Sequence, residues 1–226
     1  MTGQPTGPRD RRSADQGHLL IGGTGRAGTT LLVRYFTALG FDTGFSAEDV
    51  AQRVDPISHG GLEHSLGRTV GRGGQLPYVA KSPYFGEHLG EYLERGELRV
   101  RCFILPMRDL FDAAESRRNV SRRAALAGKD PDRHPGGVIK AKQRRGQEQK
   151  LAVQFYTLLH GLVSHDVPVR FLRFPEFATG EQSLFEALEP LLVEHGVTRD
   201  ESENALAGVV DPKLISALGR TPEPDS

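Results

Sequence analysis

The sequence contains no tryptophan, only two methionines and a single cysteine. One cysteine excludes a disulfide within the chain, which fits a reducing compartment. Because Cys102 lies in an apolar run, we expect its side chain to be buried. No apolar stretch approaches the roughly 20 residues of a membrane-spanning helix, and residues 1–16 lack the apolar core of a signal peptide. We therefore expect a cytoplasmic protein with no membrane partner.

Net charge is also missing, since 29 lysines and arginines balance 29 aspartates and glutamates. Without an overall positive field, nucleic acid is not an expected partner, and any anion site has to be local. A length of 226 residues favours one domain. We assign that domain to residues 17–218, with a disordered leader at 1–16 and a disordered tail at 219–226.

Apolar patterns along the chain alternate between those of short strands and those of helices. Strands are expected at 18–22, 76–80, 100–105 and 167–172, and helices at 29–39, 84–93, 109–126, 138–163 and 183–195. This alternation predicts an α/β fold with a parallel sheet flanked by helices. Residues 44–76 are too long for a structureless connection and indicate a functional insert with short helices. Residues 128–137, rich in proline and glycine, predict an exposed loop that can act as a lid.

A glycine-rich loop, IGGTGRAGTT from Ile21 to Thr30, follows the first strand and opens the first helix. Backbone N–H groups and the helix dipole bind phosphate in this context, and glycines let the ligand approach closely. The alternative is a tight structural turn. The predicted ligand-binding residues of this phosphate loop are Gly25, Arg26, Ala27, Gly28, Thr29 and Thr30.

The basic residue of this loop does not stand where a loop that binds a nucleoside triphosphate carries its lysine. In the ATP and GTP pattern G-x-x-x-x-G-K-[ST] a lysine follows the last glycine, whereas here Thr29 stands there and Arg26 precedes the glycine. The run Arg-x-Gly-Thr-Thr resembles the 5'-phosphosulfate loop of sulfotransferases that use 3'-phosphoadenosine 5'-phosphosulfate (PAPS). The resemblance implies a P-loop nucleoside-triphosphate-hydrolase-like fold, PAPS as cofactor and no metal.

A second motif follows the third predicted strand. Arg108 and Ser116, eight residues apart with Asp109 and Asp112 between them, resemble the family pattern R-D-P-x-D-x-x-x-S, although Leu110 replaces the proline. In this family the arginine and the serine bind the 3'-phosphate, so the resemblance assigns that role to Arg108 and Ser116. A surface Arg–Asp pair is the alternative. If the resemblance holds, both residues should face the phosphate loop.

Lys81 ends the second predicted strand, where Pro83 stops it. The run from Lys81 to Phe85 resembles the K-S-P-x-Y-F segment of glycan sulfotransferases, in which the lysine contacts the transferring group. Carboxyl ends of parallel strands bind ligands together, so Lys81 should converge with the phosphate loop. A solvated lysine is the alternative. A further resemblance at 169–177 extends the similarity from Leu19 to about Leu192.

An acceptor hydroxyl needs a base, and in several branches of the family this is a carboxylate shortly after the first helix. We assign Glu48, and with it Lys81 and Arg26, to catalysis, while competing base candidates in the insert are Asp49, His59, Glu63 and His64. A metal site formed by the two histidines and Glu63 lacks a clear ligand spacing. A solvated helix face, or guidance of an anionic ligand, explains the basic residues Arg117, Arg118, Arg122, Arg123, Lys140, Lys142, Arg144 and Arg145.

Together these patterns predict a sulfotransferase that moves a sulfuryl group from PAPS to a hydroxyl or amine of a small-molecule or glycan acceptor. Two alternatives stay open: a P-loop phosphotransferase that uses ATP or GTP, and a noncatalytic nucleotide-binding module. The sequence fixes neither the acceptor nor the oligomeric state.

Overall fold

The computed structural model describes residues 17–72, 74–139, 146–212 and 215, so the expected leader and tail and the basic residues of 140–145 lie outside the described residues. Strands and helices alternate along the described chain. In order they are β1 (His18–Ile21), α1 (Thr29–Ala38), α2 (Ala47–Arg53), α3 (Leu66–Thr69), a 3-10 turn (Val70–Arg72), β2 (Val79–Lys81), α4 (Phe85–Glu94), β3 (Val100–Met107), α5 (Leu110–Leu126), α6 (Gln147–Ser164), β4 (Val169–Arg173), α7 (Glu176–Thr179), α8 (Leu184–Glu194) and α9 (Arg199–Val209).

The four strands form one sheet in the order β2-β1-β3-β4, and every neighbouring pair is parallel. Leu20 of β1 pairs with Ala80 of β2 on one side and with Phe103 of β3 on the other. The predicted α/β architecture, a parallel sheet flanked by helices, is confirmed. Because all four strands run the same way, their carboxyl ends share one edge of the sheet, where the loops that follow them meet.

Alternating side chains of the strands enter two separate apolar cores. Leu19 and Ile21 pack in one core with α1, α8 and residues of α9, whereas Leu20 packs in the other with α4 and α6. Burial on both faces explains why the strands read as continuous apolar runs. Cys102 is buried in the first core, as expected, and burial raises the pKa of its thiol to about 11.

The predicted helix over 138–163 begins later than expected. Val138 and Ile139 are not helical, and α6 starts at Gln147 after Gly146, whose φ of 77° is left-handed. The side chain of Gln147 instead bonds both backbone groups of Ile139, accepting from its N–H at 2.9 Å and donating to its carbonyl at 3.0 Å. The apolar spacing that predicted a helix from residue 138 therefore extends beyond the true start of that helix at Gln147.

The remaining short or polar helices give one confirmation and one difference. The insert carries α2 and α3, which confirms the short helices expected there. Helix α9 is an addition to the predicted elements, although its capping box of Thr198 and Glu201 is a sequence signature of a helix start. No described helix combines the length and the apolarity that crossing a bilayer requires.

Because the sheet is buried on both faces, removing a large side chain from a central strand should destabilise the fold. Phe103 is fully buried in β3, whereas Phe111 is 68% exposed on α5. We expect Phe103→Ala to lower the free energy of unfolding by about 3 to 5 kcal/mol, and the matched Phe111→Ala to change it by about 0.5 kcal/mol or less. Urea unfolding followed by circular dichroism measures both, and equal losses would contradict the placement of Phe103.

Candidate active site

A cleft of about 1640 Å³ opens at the carboxyl ends of β1 and β2. Its wall is formed by the phosphate loop, by Lys81, by parts of the insert and of the 128–137 loop, and by the first turns of α4 and α6. Single small-molecule sites usually measure about 300 to 1,000 Å³, so the cleft among the described residues is larger than a typical single-ligand site.

The phosphate loop leaves the start of α1 open to a ligand. Gly28 is the N-cap residue, at a φ of 81°, and it offers no side-chain acceptor to the first N–H groups of the helix. Glycine is required here, because a Cβ would lie 2.7 Å from the Phe174 ring and 2.8 Å from the Phe177 ring. The uncapped N–H groups form the kind of helix start that binds phosphate.

Arg26 connects the two motifs that the sequence analysis paired. Its Nε donates to the Ser116 hydroxyl at 3.1 Å, and its Nη1 donates to the Ser58 carbonyl of the insert. Arg108 donates through Nη1 to the Arg26 carbonyl at 3.2 Å, and its guanidinium lies 5.5 Å from the centre of the Phe174 ring. Arg108 and Ser116 thus both face the phosphate loop.

Arg117, which the sequence analysis placed among the basic residues of a helix face, lies in the cleft instead. It donates to the Thr24 carbonyl at 2.7 Å and to the Gly137 carbonyl at 2.9 Å, so it ties the phosphate loop to the 128–137 loop. Its Nε is buried and has no hydrogen-bond partner in the described part of the chain. Its neighbours Arg118 and Arg122 follow the expectation of a solvated face, since both pair with Glu115.

Burial and like charge act together on these arginines. Burial, followed by the neighbouring charge of Arg117, lowers the pKa of Arg26 to about 10, and burial lowers the pKa of Arg117 to about 10. Both side chains stay charged at neutral pH. Neither has a salt bridge with any residue in the described ranges. The site therefore holds excess positive charge in a poorly solvated place.

Lys81 is 4% exposed at the end of β2, and its amine points at the phosphate loop. It donates to the Gly61 carbonyl at 2.6 Å, to the Thr30 hydroxyl at 3.1 Å and to Glu63 at 3.2 Å. Burial lowers the pKa of Lys81, and the Glu63 carboxylate opposes that shift. Gly61, at a φ of 133°, admits no side chain, because a Cβ would lie 2.3 Å from the Arg53 carbonyl.

The base candidates of the insert have different positions. Glu63 lines the cleft, and its side chain is 45% exposed beside Lys81. Glu48 lies on α2, where it accepts a hydrogen bond from Gln52, and it is not among the described residues that line the cleft. Asp49 is held in the capping box of Ser46. The geometry favours Glu63 over Glu48 as the carboxylate that can reach a bound ligand.

The two histidines of the insert also differ. His64 packs against β2, where its ring Nδ1 accepts from the Lys81 backbone N–H at 3.2 Å and its backbone N–H donates to the Lys81 carbonyl at 2.7 Å. His59 lines a second cavity of about 120 Å³ together with Arg108 and Gly28. Burial lowers the pKa of both histidines. Across the described ranges, no three His, Cys, Asp or Glu side chains gather closely enough to hold a metal ion.

One hydrogen bond joins the insert to the 128–137 loop in the wall of the cleft. His134 Nε2 lies 3.0 Å from Asp55 Oδ1, and the same oxygen accepts the backbone N–H of Ser58 at 2.6 Å. Burial alone would raise the pKa of Asp55, but the hydrogen bonds from Ser58 and His134 outweigh it and lower the pKa to about 2. The contact makes the loop part of the cleft wall.

The depressed pKa of Asp55 predicts a pH dependence of stability. The carboxylate stabilises the fold above its unfolded-state pKa of about 3.9, and this contribution is lost as the pH falls toward 2. The stability difference between the natural chain and Asp55→Asn should therefore shrink by about 1 to 2 kcal/mol between pH 5 and pH 2, since the group is partly solvated. Urea unfolding across this range measures it, with Asp200→Asn at the exposed start of α9 as control, and a constant difference would contradict the pairing.

Comparison with known proteins supplies no relative for this site. No family model, curated protein or solved structure matches the chain. The function is therefore inferred from the contacts of the site itself, namely its partly buried arginines, its uncapped helix start and the carboxylate beside Lys81.

Proposed function

We propose that the chain is a sulfotransferase of P-loop-like fold that moves a sulfuryl group from PAPS to an acceptor hydroxyl. The observation that carries the proposal is the pair of partly buried arginines, Arg26 and Arg117, beside the phosphate loop without a salt bridge to any described residue. Burying a charge without compensation is costly, so such a site is built for an anionic ligand. Phosphate and sulfate groups provide that charge and match the planar donors of arginine.

The separation of the cations favours a ligand that is charged at two places. Lys81 lines the large cleft, Arg108 lines the second cavity, and Arg26 lines both. A triphosphate concentrates its charge in one chain of phosphates. An adenosine nucleotide with phosphates at both its 3' and 5' positions divides its charge, which suits two neighbouring anion sites.

The proposed chemistry is an in-line displacement, in which the protein mainly positions the reactants and stabilises spreading negative charge. PAPS supplies the sulfuryl group on a phosphate leaving group. Lys81 and Arg26 neutralise the charge that develops on the sulfuryl and bridging oxygens. Glu63 accepts the proton of the acceptor hydroxyl while the new oxygen–sulfur bond forms and the old sulfur–oxygen bond to the phosphate breaks. The products are the sulfate ester and adenosine 3',5'-bisphosphate.

A second candidate function is favoured by the contact between Lys81 and Thr30. The phosphate loop has no lysine of its own after Gly28, but the Lys81 amine reaches the Thr30 hydroxyl from β2. A lysine in that place can also serve an ATP-dependent phosphotransferase. The two candidates differ in the nucleotide that the cleft prefers.

Nucleotide preference is the first test. Adenosine 3',5'-bisphosphate at about 100 times its Kd should stabilise the fold by about 2.7 kcal/mol, and ATP with magnesium at the same concentration should stabilise it less, because stabilisation grows with the ratio of ligand concentration to Kd. Arg117→Ala should weaken bisphosphate binding about tenfold or more, since charged hydrogen bonds contribute about 1.5 to 3 kcal/mol. Arg122→Ala, on the exposed side of the same helix, is the matched control. Thermal shift titrations decide, and stabilisation by ATP with magnesium alone would favour the phosphotransferase.

The proton acceptor is the second test. Glu63→Gln should lower kcat by about 10²- to 10⁴-fold, the usual contribution of a general base, while bisphosphate binding measured by thermal shift persists. Glu48→Gln should retain activity, because Glu48 is not among the described residues that line the cleft. Transfer of labelled sulfate from PAPS reports both. Full activity of Glu63→Gln with loss in Glu48→Gln would restore the assignment made from the sequence.

A further inference from the structure

Helix α6 is apolar on two of its sides. One side enters the second apolar core, where Leu158 is buried. Another side carries Val153, Tyr156 and Val163, which are 59%, 69% and 68% exposed. Residues 151–164 contain no Asp, Glu, Lys or Arg. A surface helix of a globular protein places charged and polar residues opposite its buried stripe, so the outer side of α6 does not have the composition of a helix surface that stays in water.

The exposed residues of α6 have the spacing of a contact between two helices. We define the α6 stripe as the four exposed residues Val153, Tyr156, His160 and Val163. They are separated by three, four and three residues, the alternation that aligns side chains in one line facing a second helix. The rings of Tyr156 and His160 stack with their centres 6.0 Å apart, which makes the stripe continuous. A single exposed apolar residue is ordinary, whereas a contiguous apolar stripe indicates a contact surface.

The α6 stripe is symmetric about its centre. Val153 and Val163 lie five residues on either side of position 158, and Tyr156 and His160 lie two residues on either side of it. Two copies of α6 that pack antiparallel about a two-fold axis therefore place Val153 against Val163 of the other copy. The same axis places Tyr156 against His160. Each aliphatic side chain meets an aliphatic one and each ring meets a ring, so the stripe is complementary to itself.

Charges beyond the two ends of the α6 stripe favour the same antiparallel arrangement. Lys150 and Asp166 lie three residues outside the stripe, one at each end. In the antiparallel pair Lys150 of one copy lies beside Asp166 of the other, whereas a parallel pair would bring like charges together. Glu148, at the same end of the helix as Lys150, is already paired with Arg118 of α5. The stripe is therefore complementary in charge as well as in apolar surface.

We propose that the α6 stripe is a dimer interface whose partner is a second copy of this chain, packed antiparallel about a two-fold axis. A single helix pair buries less than the roughly 800 Å² per partner of a standard interface, so we expect a Kd in the micromolar range. Val153 also lines the cleft, so the second copy lies beside the cleft wall in each half of the dimer. The proposal does not depend on which nucleotide the cleft binds.

The oligomeric state of the full chain tests the proposal. Analytical ultracentrifugation from about 1 to 500 μM should show a monomer–dimer equilibrium. Val153→Glu should raise the dimer Kd about 100-fold or more, because a two-fold dimer loses the apolar contact twice and buries an unpaired carboxylate twice. Val193→Glu, at a valine that is 54% exposed on α8, is the matched control and should dimerise like the natural chain. Circular dichroism checks that each variant is folded.

Opposite charges at the two valines distinguish the antiparallel dimer from a parallel one. Val163→Lys alone should weaken the dimer as Val153→Glu does. Both substitutions in one chain place a glutamate against a lysine twice, so the Kd should return to within about tenfold of that of the natural chain. A chain that stays monomeric, a dimer that Val153→Glu does not weaken, or a double variant that stays monomeric would overturn the proposal. A monomer that sediments with phosphatidylcholine vesicles would also overturn it and assign the stripe to a lipid surface.

Discussion

The whole site depends on positive charges that are partly shielded from water around the phosphate loop. Arg26, Arg117 and Lys81 converge on the loop between β1 and α1, and Glu63 is the described carboxylate that forms a salt bridge with one of them. Desolvation lowers the pKa of all three cations, yet the arginines keep their charge at neutral pH. The protein tolerates this arrangement because backbone carbonyls accept hydrogen bonds from each cation, which lowers the cost of burial without neutralising the charge.

The parallel sheet is what makes this convergence possible. The strands β1, β2 and β3 end at the same edge, so the phosphate loop, Lys81 and Arg108 come together although up to 82 residues separate them. Each strand is fixed by two apolar cores, which leaves its carboxyl end free to carry polar groups. The insert then closes over this edge: His64 pairs with the Lys81 backbone, and Gly61 presents its carbonyl to the Lys81 amine.

Much of this arrangement could be predicted from local sequence. The phosphate loop, Lys81 and the pair Arg108 and Ser116 belong to patterns in which a strand, a turn and a helix lie next to each other in the chain. In the structure Ser116 and Arg108 contact Arg26, and Lys81 contacts Thr30 of the loop. The position of Glu63 was harder to predict, because it depends on the path of the insert through a left-handed glycine at 61. Only three-dimensional packing distinguishes it from Glu48.

Arg117 shows a different limit of sequence reasoning. A run of arginines on a helix indicates a solvated face, and for Arg118 and Arg122 that reasoning holds. Arg117, however, is four residues after Ala113 and three before Val120, both buried, so the apolar period of α5 already turned it inward. The spacing of buried residues in α5 therefore indicated the position of Arg117, whereas the basic composition of the segment did not. Its partly desolvated charge costs free energy, and the anionic ligand of the proposed function would offset that cost.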